Sequence, residues 1–261
     1  MKAARVVAAG LLVSSLCHVH AQMDHPKMLR IVRERVKPGR GSDHARIESA
    51  FAQVLTKAGF ANYIGLESIT GANEAWFVEA FDSWSSIQEA LGTMGKEPLR
   101  SELSALAAQE GDVLQSDNSV VAMLQKELSY LPGTFHPASA RFLYVYSIRI
   151  RPGHTPEFAE RAKLLNDARA KAGWKGEAAV YRIESGAPEG TYLVLLPAAS
   201  LKELDAGPNE LAAMRPEDVT RFRKINEEIV LESGYTLFAI NPKMSNPSKA
   251  LVDADPGFWK R

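Results

Sequence analysis

Apolar positions along the chain switch between a period of two and a period near 3.6. Leu29 to Val36 and Phe142 to Ile150 are rich in β-branched and aromatic residues, and each run stops at a turn pair, Pro38-Gly39 or Pro152-Gly153. A helix is expected after each. Ile47, Phe51, Val54, Leu55 and Ala58 fall on one helical face, as do Phe158, Ala162, Leu165 and Ala172. Thr155 before Pro156 reads as an N-cap, and Gly59 and Gly173 stand where a helix end favours positive φ. A hairpin follows in both places: Tyr63 to Ile69 with Trp76 to Phe81, and Ala178 to Ile183 with Tyr192 to Leu196. Short helices are expected around 86–91 and 201–206. A further helix carries Val219, Phe222, Ile225 and Ile229 on one side, and last strands are expected at 120–125 and 236–240.

The same order is written twice. Val36-Lys37-Pro38-Gly39 recurs as Ile150-Arg151-Pro152-Gly153, an offset of 114 residues, and Ala58-Gly59-Phe60 recurs as Ala172-Gly173-Trp174 at the same offset. Gly71-Ala72-Asn73-Glu74 recurs as Gly186-Ala187-Pro188-Glu189, one residue further on. Residues 28–130 and 141–245 are therefore expected to be two copies of one domain, joined by a linker at 131–140 and followed by a tail at 246–261. Each copy runs β-α-β-β-α-β, which is the ferredoxin-like order with helices on one sheet face. The expected class is α+β, with the two helix-free faces buried against each other.

The chain start changes the picture. Lys2 and Arg5 precede an apolar run from Val6 to Cys17, and Val19-His20-Ala21 has the small-residue pattern of a cleavage site. Residues 1–21 therefore read as a signal peptide, cleaved near Ala21, and the protein is expected to be exported. The run is too short for a membrane span. Loss of this segment removes the single cysteine and two cations. That leaves 29 of the 31 basic residues against 31 acidic ones. Disulfides, thiolate metal sites and a cysteine nucleophile are thereby excluded from the mature chain. The charge balance offers no basic excess for a nucleic-acid backbone.

Strand parity supplies candidate site residues. With Val36 and Ile150 packed on the following helices, Arg33, Arg35, Ser147 and Arg149 face the opposite sheet. Tyr63, Glu67, Phe77 and Glu79 are expected beside them, with Glu177, Tyr181 and Tyr192 as their counterparts. The ligand-binding candidates are Arg33, Arg35, Tyr63, Glu67, Glu79, Arg149 and Tyr181. Such charges either pair across the halves to fix their docking or line a polar pocket in which arginine binds an anion and tyrosine an aromatic group. His44 and His154 are expected to be solvated helix-start side chains without a second metal ligand one turn on, so no metal or other cofactor is expected. The tail, ending in Pro256-Gly257-Phe258-Trp259, either docks on the body or stays free.

The paired strand endings, the helix after each and the Gly-Ala-x-Glu hairpins resemble the dimeric α/β-barrel superfamily, which includes antibiotic-biosynthesis-monooxygenase-like and NIPSNAP-like proteins. The resemblance implies an intramolecular barrel with a cavity between sheet and helices or between the two sheets. It also implies a range of activities, from cofactor-free oxygenases and haem-handling enzymes to small-ligand binders. The leading expectation is an exported monomer or homodimer that binds a small organic ligand. The alternatives are a cofactor-free monooxygenase acting on an aromatic or quinone-like substrate, and a protein-interaction module.

Overall fold

The computed structural model describes residues 25–60, 63–205 and 207–260; the signal peptide expected at residues 1–21 lies outside them. The first half contains β1 (Met28–Val36), α1 (Gly41–Lys57), β2 (Tyr63–Ser68), β3 (Glu74–Phe81), α2 (Trp84–Met94), α3 (Leu99–Glu110) and β4 (Leu114–Leu124). The second contains β5 (Phe142–Ile150), α4 (Thr155–Lys171), β6 (Ala179–Ser185), β7 (Thr191–Ala198), α5 (Leu201–Asp205), α6 (Glu210–Ala213), α7 (Pro216–Ile229) and β8 (Val230–Ile240). Two short helices, α8 (Lys249–Ala254) and α9 (Pro256–Trp259), close the chain. The last strands begin six residues earlier than their apolar pattern announces, because Leu114–Ser119 and Val230–Tyr235 are mostly exposed and carry no buried apolar face. Thr155 is the first helical residue of α4 rather than its cap, while Gly59 and Gly173 have the anticipated positive φ of 74° and 67°. Among the described residues no helix is long and apolar enough to cross a membrane.

All eight strands form one closed antiparallel barrel in the order β1-β3-β2-β8-β5-β7-β6-β4. Within the first half the order is β4-β1-β3-β2, and within the second β8-β5-β7-β6. The halves are not two separate sheets stacked face to face. They are hydrogen-bonded edge to edge, by β2 with β8 at Leu66–Ser68 and by β4 with β6 at Val121–Leu124. Closure satisfies edge strands that either half would leave open. The inward side chains, among them Ile31, Leu66, Trp76, Val120, Leu193 and Phe238, pack into one apolar cluster. Outward side chains meet the helices in two further clusters, one per half.

The β4–β6 junction depends on a close approach. Gly186 has φ 89°, and a Cβ there would lie 2.1 Å from the Ser119 carbonyl oxygen. Its counterpart Gly71 also has positive φ, 83°, but a Cβ would meet nothing nearer than Thr236 Oγ1 at 3.8 Å. Gly71→Ala is therefore expected to cost about 1 kcal/mol, and Gly186→Ala about 2–3 kcal/mol because strain and backbone collision add. Chemical denaturation of both variants checks this; equal losses would refute the close-approach argument.

The tail docks. Trp259 is 5% exposed, Asp255 pairs with Arg141, and the Arg141 guanidinium lies 3.9 Å from the Phe258 ring. Asn246 exchanges backbone hydrogen bonds with Tyr63, at 3.0 and 3.2 Å, which extends the hydrogen bonding of the short β2.

Candidate functional site

Four of the sequence-derived site residues lie on the inward face. Arg33 and Arg35 stand toward the C-terminal end of β1 and Arg149 toward that of β5, on opposite sides of the ring of strands, and Tyr181 is buried in the interior cluster. Arg33 lies 4.2 Å from the Trp76 ring centroid, and burial holds its guanidinium below the usual arginine range. Its Nε and Nη2 have no hydrogen-bond partner. Arg35 pairs with Glu74 at 3.1 Å and Arg149 with Glu232 at 3.6 Å. Both pairs join neighbouring strands of the same half, so they do not dock one half on the other. The Tyr181 hydroxyl donates to the Pro26 carbonyl at 3.0 Å.

Tyr63, Glu67 and Glu79 point the other way, toward the helices. Tyr63 meets Phe77 edge-on at 5.9 Å, Glu67 accepts from Asn241 Nδ2 at 2.7 Å, and Glu79 accepts from Arg30 Nη1 at 2.6 Å. The correction has a simple cause. Gly65 pairs with Phe77 and Val180 with Val194, so β2 and β6 correspond at an offset of 115, not 114. One residue of slip exchanges the two faces of a strand. Tyr181 therefore corresponds to inward Leu66, not to Glu67.

The large cavity lies outside the barrel, between the outer sheet face of the second half and its helices, with a volume of about 1130 Å³. Its floor is a stack of three tyrosines: Tyr235 lies between Tyr144 and Tyr146, with centroids 5.1 and 4.4 Å away. These rings fall on one face because β5 and β8 pair in register, Tyr146 opposite Tyr235. Phe158, Phe222 and Trp174 add aromatic walls.

Two arginines on α4 enter this apolar space. Arg161 is 6% exposed and Arg169 is 8% exposed. Arg169 is neutralised by Glu210, with Nε–Oε1 at 3.2 Å, and donates to Asn166 Oδ1. Arg161 donates to two neutral acceptors, Asn226 Oδ1 at 2.7 Å and the Tyr146 hydroxyl at 3.3 Å. Among the described residues no carboxylate pairs with it. Burial lowers the affinity of both guanidinium groups for their protons. A buried cation with only neutral partners, facing aromatic rings, is suited to an anion carried on an aromatic frame. Sequence reasoning passed over both arginines. They lie on the same helical stripe as Phe158, Ala162, Leu165 and Ala172, and a charge on an apolar stripe was the available signal.

The histidines also divide. His154 stays half-exposed beside Glu157, whereas His44 is not solvated: it is 2% exposed and bonded to Glu34. A haem would find no imidazole or thiolate in the large cavity, whose lining among the described residues contains no His, Cys or Met.

Comparison with protein-family models and with curated protein sequences gives no match. Solved structures do match. An anthrone oxidase-like protein aligns at TM-score 0.54 and 10% identity, over 82% of this chain and 92% of that one. A candidate monooxygenase from Fusobacterium nucleatum subsp. nucleatum ATCC 25586 aligns at TM-score 0.52 and 9% identity, over 84% and 94%. Another from Lactobacillus acidophilus NCFM aligns at 0.50 and 5%, over 83% and 94%. Identities this low establish a shared fold, the dimeric α/β barrel, here closed within one chain.

Proposed function

We propose that the protein is an exported binder of small aromatic anions, built from two βαββαβ repeats at 28–130 and 141–245 joined by the linker 131–140. The observation that carries the reading is Arg161: a buried guanidinium with neutral partners at the wall of an aromatic cavity. The pattern of residues 1–21 supports export. The strand order β4-β1-β3-β2, repeated as β8-β5-β7-β6, supports duplication. Closure within one chain supports a monomer, since neither half needs a second copy to cover its edges.

The test compares 2-naphthoate with its neutral isostere naphthalene-2-carboxamide by isothermal titration calorimetry. A charge-assisted hydrogen bond to Arg161 is worth about 1.5–3 kcal/mol, so the carboxylate is expected to bind about 10- to 150-fold more tightly. Equal affinity, or binding of neither, would remove the proposal.

A second reading, cofactor-free oxygenation, is favoured by the Tyr146 hydroxyl beside Arg161. Together they would hold a phenolate or enolate, the electron-rich form of an aromatic substrate that reacts with dioxygen directly. The names of the structurally similar proteins point the same way. Oxygen uptake with anthrone, above the rate without protein, supports this reading; none leaves the chain a binder.

A further inference from the structure

In the first half, the space between the sheet and its first helix is polar. At the repeat offset of 114 residues, Ile148, Phe158 and Ala162 of the second half correspond to Glu34, His44 and Glu48. Glu34 points outward from β1, and His44 and Glu48 stand one turn apart on the face of α1 that covers it. All three are buried, at 6%, 2% and 4% exposure. His44 Nε2 lies 2.7 Å from Glu34 Oε2, and one donor atom from each residue falls within 4.8 Å of the other two. Glu48 Oε1 is buried without a hydrogen-bond partner, as is the Tyr63 hydroxyl.

The charge around this cluster is one-sided. Glu110 of α3, Asp117 of β4 and Glu79 of β3 lie within electrostatic reach of Glu34, Glu48 or Tyr63. Arg30 is committed to Glu79, and among the described residues no lysine or arginine pairs with Glu34 or Glu48. Burial, then a side-chain hydrogen bond with Glu110, hold the Glu48 carboxyl above the usual carboxylate range.

We propose that Glu34, His44 and Glu48 bind one borderline divalent cation, of which zinc is the representative, between β1 and α1. One imidazole and two carboxylates form a nitrogen–oxygen donor set suited to first-row dications, and the imidazole disfavours magnesium and calcium. Tetrahedral bonds of about 2.0–2.2 Å place the donors on one ion about 3.3–3.6 Å apart, so side-chain rotations that draw the donor atoms together by about 1 Å close the site. The ion would replace the Glu34–His44 hydrogen bond and give the unpartnered Glu48 oxygen its partner. Three protein ligands leave a coordination position open for water, with the Tyr63 hydroxyl nearby as its partner.

The experiment is zinc titration of the chelator-treated full chain, with metal content after dialysis measured by plasma mass spectrometry. Glu48→Gln is nearly isosteric with the neutral acid and keeps the packing; Glu34→Gln is the second variant. One equivalent of zinc is expected in the unaltered chain, with binding weakened more than about tenfold in each variant and no competition from excess magnesium. No uptake by the unaltered chain overturns the proposal without recourse to a variant. Equal uptake by Glu48→Gln and Glu34→Gln also overturns it, because the zinc then sits elsewhere.

Discussion

Arg161→Met is expected to move stability and binding in opposite directions. The guanidinium is 6% exposed and has only Asn226 and Tyr146 as hydrogen-bond acceptors, so the unliganded chain bears the cost of a desolvated cation. Methionine fills the same channel between Phe158 and Phe222 with no charge to bury. Replacing a buried charge by a hydrophobe of similar volume commonly stabilises a fold, here by about 1 kcal/mol once the acceptor left at Asn226 is counted. The same change removes the one buried cation of the cavity that, among the described residues, forms no ion pair with a carboxylate. Affinity for 2-naphthoate should then fall by about 2–3 kcal/mol, or 30- to 150-fold, while the carboxamide is little affected. Denaturant unfolding and calorimetry on one preparation read both quantities. A variant that loses stability, or retains its preference for the carboxylate, would show that Arg161 serves the fold and not a ligand. Arg169→Met should behave differently, because it strands the Glu210 carboxylate that Arg169 now neutralises.

The larger effect on the fold is expected from Phe238→Ala. Phe238 is fully buried and its ring packs 4.8 Å from Trp76. The two residues come from opposite halves, on β8 and β3, and meet where β2 and β8 join the halves. Truncation leaves a void among residues held by a closed ring of strands, which cannot collapse to fill it. The loss should be about 3–5 kcal/mol. Because the cluster spans both halves, unfolding should stay a single transition at a lower denaturant midpoint. Two separated transitions would mean that the halves are stabilised independently and that the shared interior is a minor term.

The outcome for each candidate residue follows from what parity can and cannot resolve. Arg33, Arg35 and Arg149 are inward because β1 and β5 each run unbroken into a Pro-Gly turn, which anchors their phase. Tyr63 and Glu67 are outward because the connection from α1 to β2 is one residue shorter than that from α4 to β6, which shifts the phase of β2, and Glu79 shares their face because it pairs directly with Tyr63. His44 was legible as a helix-start residue but not as a buried one. Its burial depends on Glu34 across the gap, a partner ten residues away that strand parity already placed on the helix side.

Local periodicity, turn chemistry and the repeated order of motifs were enough for the α+β class and for most of the strands and helices, because those signals are carried by neighbours in sequence. They did not reveal that the halves merge edge to edge, since nothing in an edge strand names the strand it will pair with. Nor did they locate the cavity. Its tyrosine floor, its arginines and its covering helix lie on separate elements, and the space between them is set by the residues packed at its margins. In the first half the corresponding space is occupied by an imidazole and two carboxylates, a difference that appears only once β1 and α1 are laid against each other.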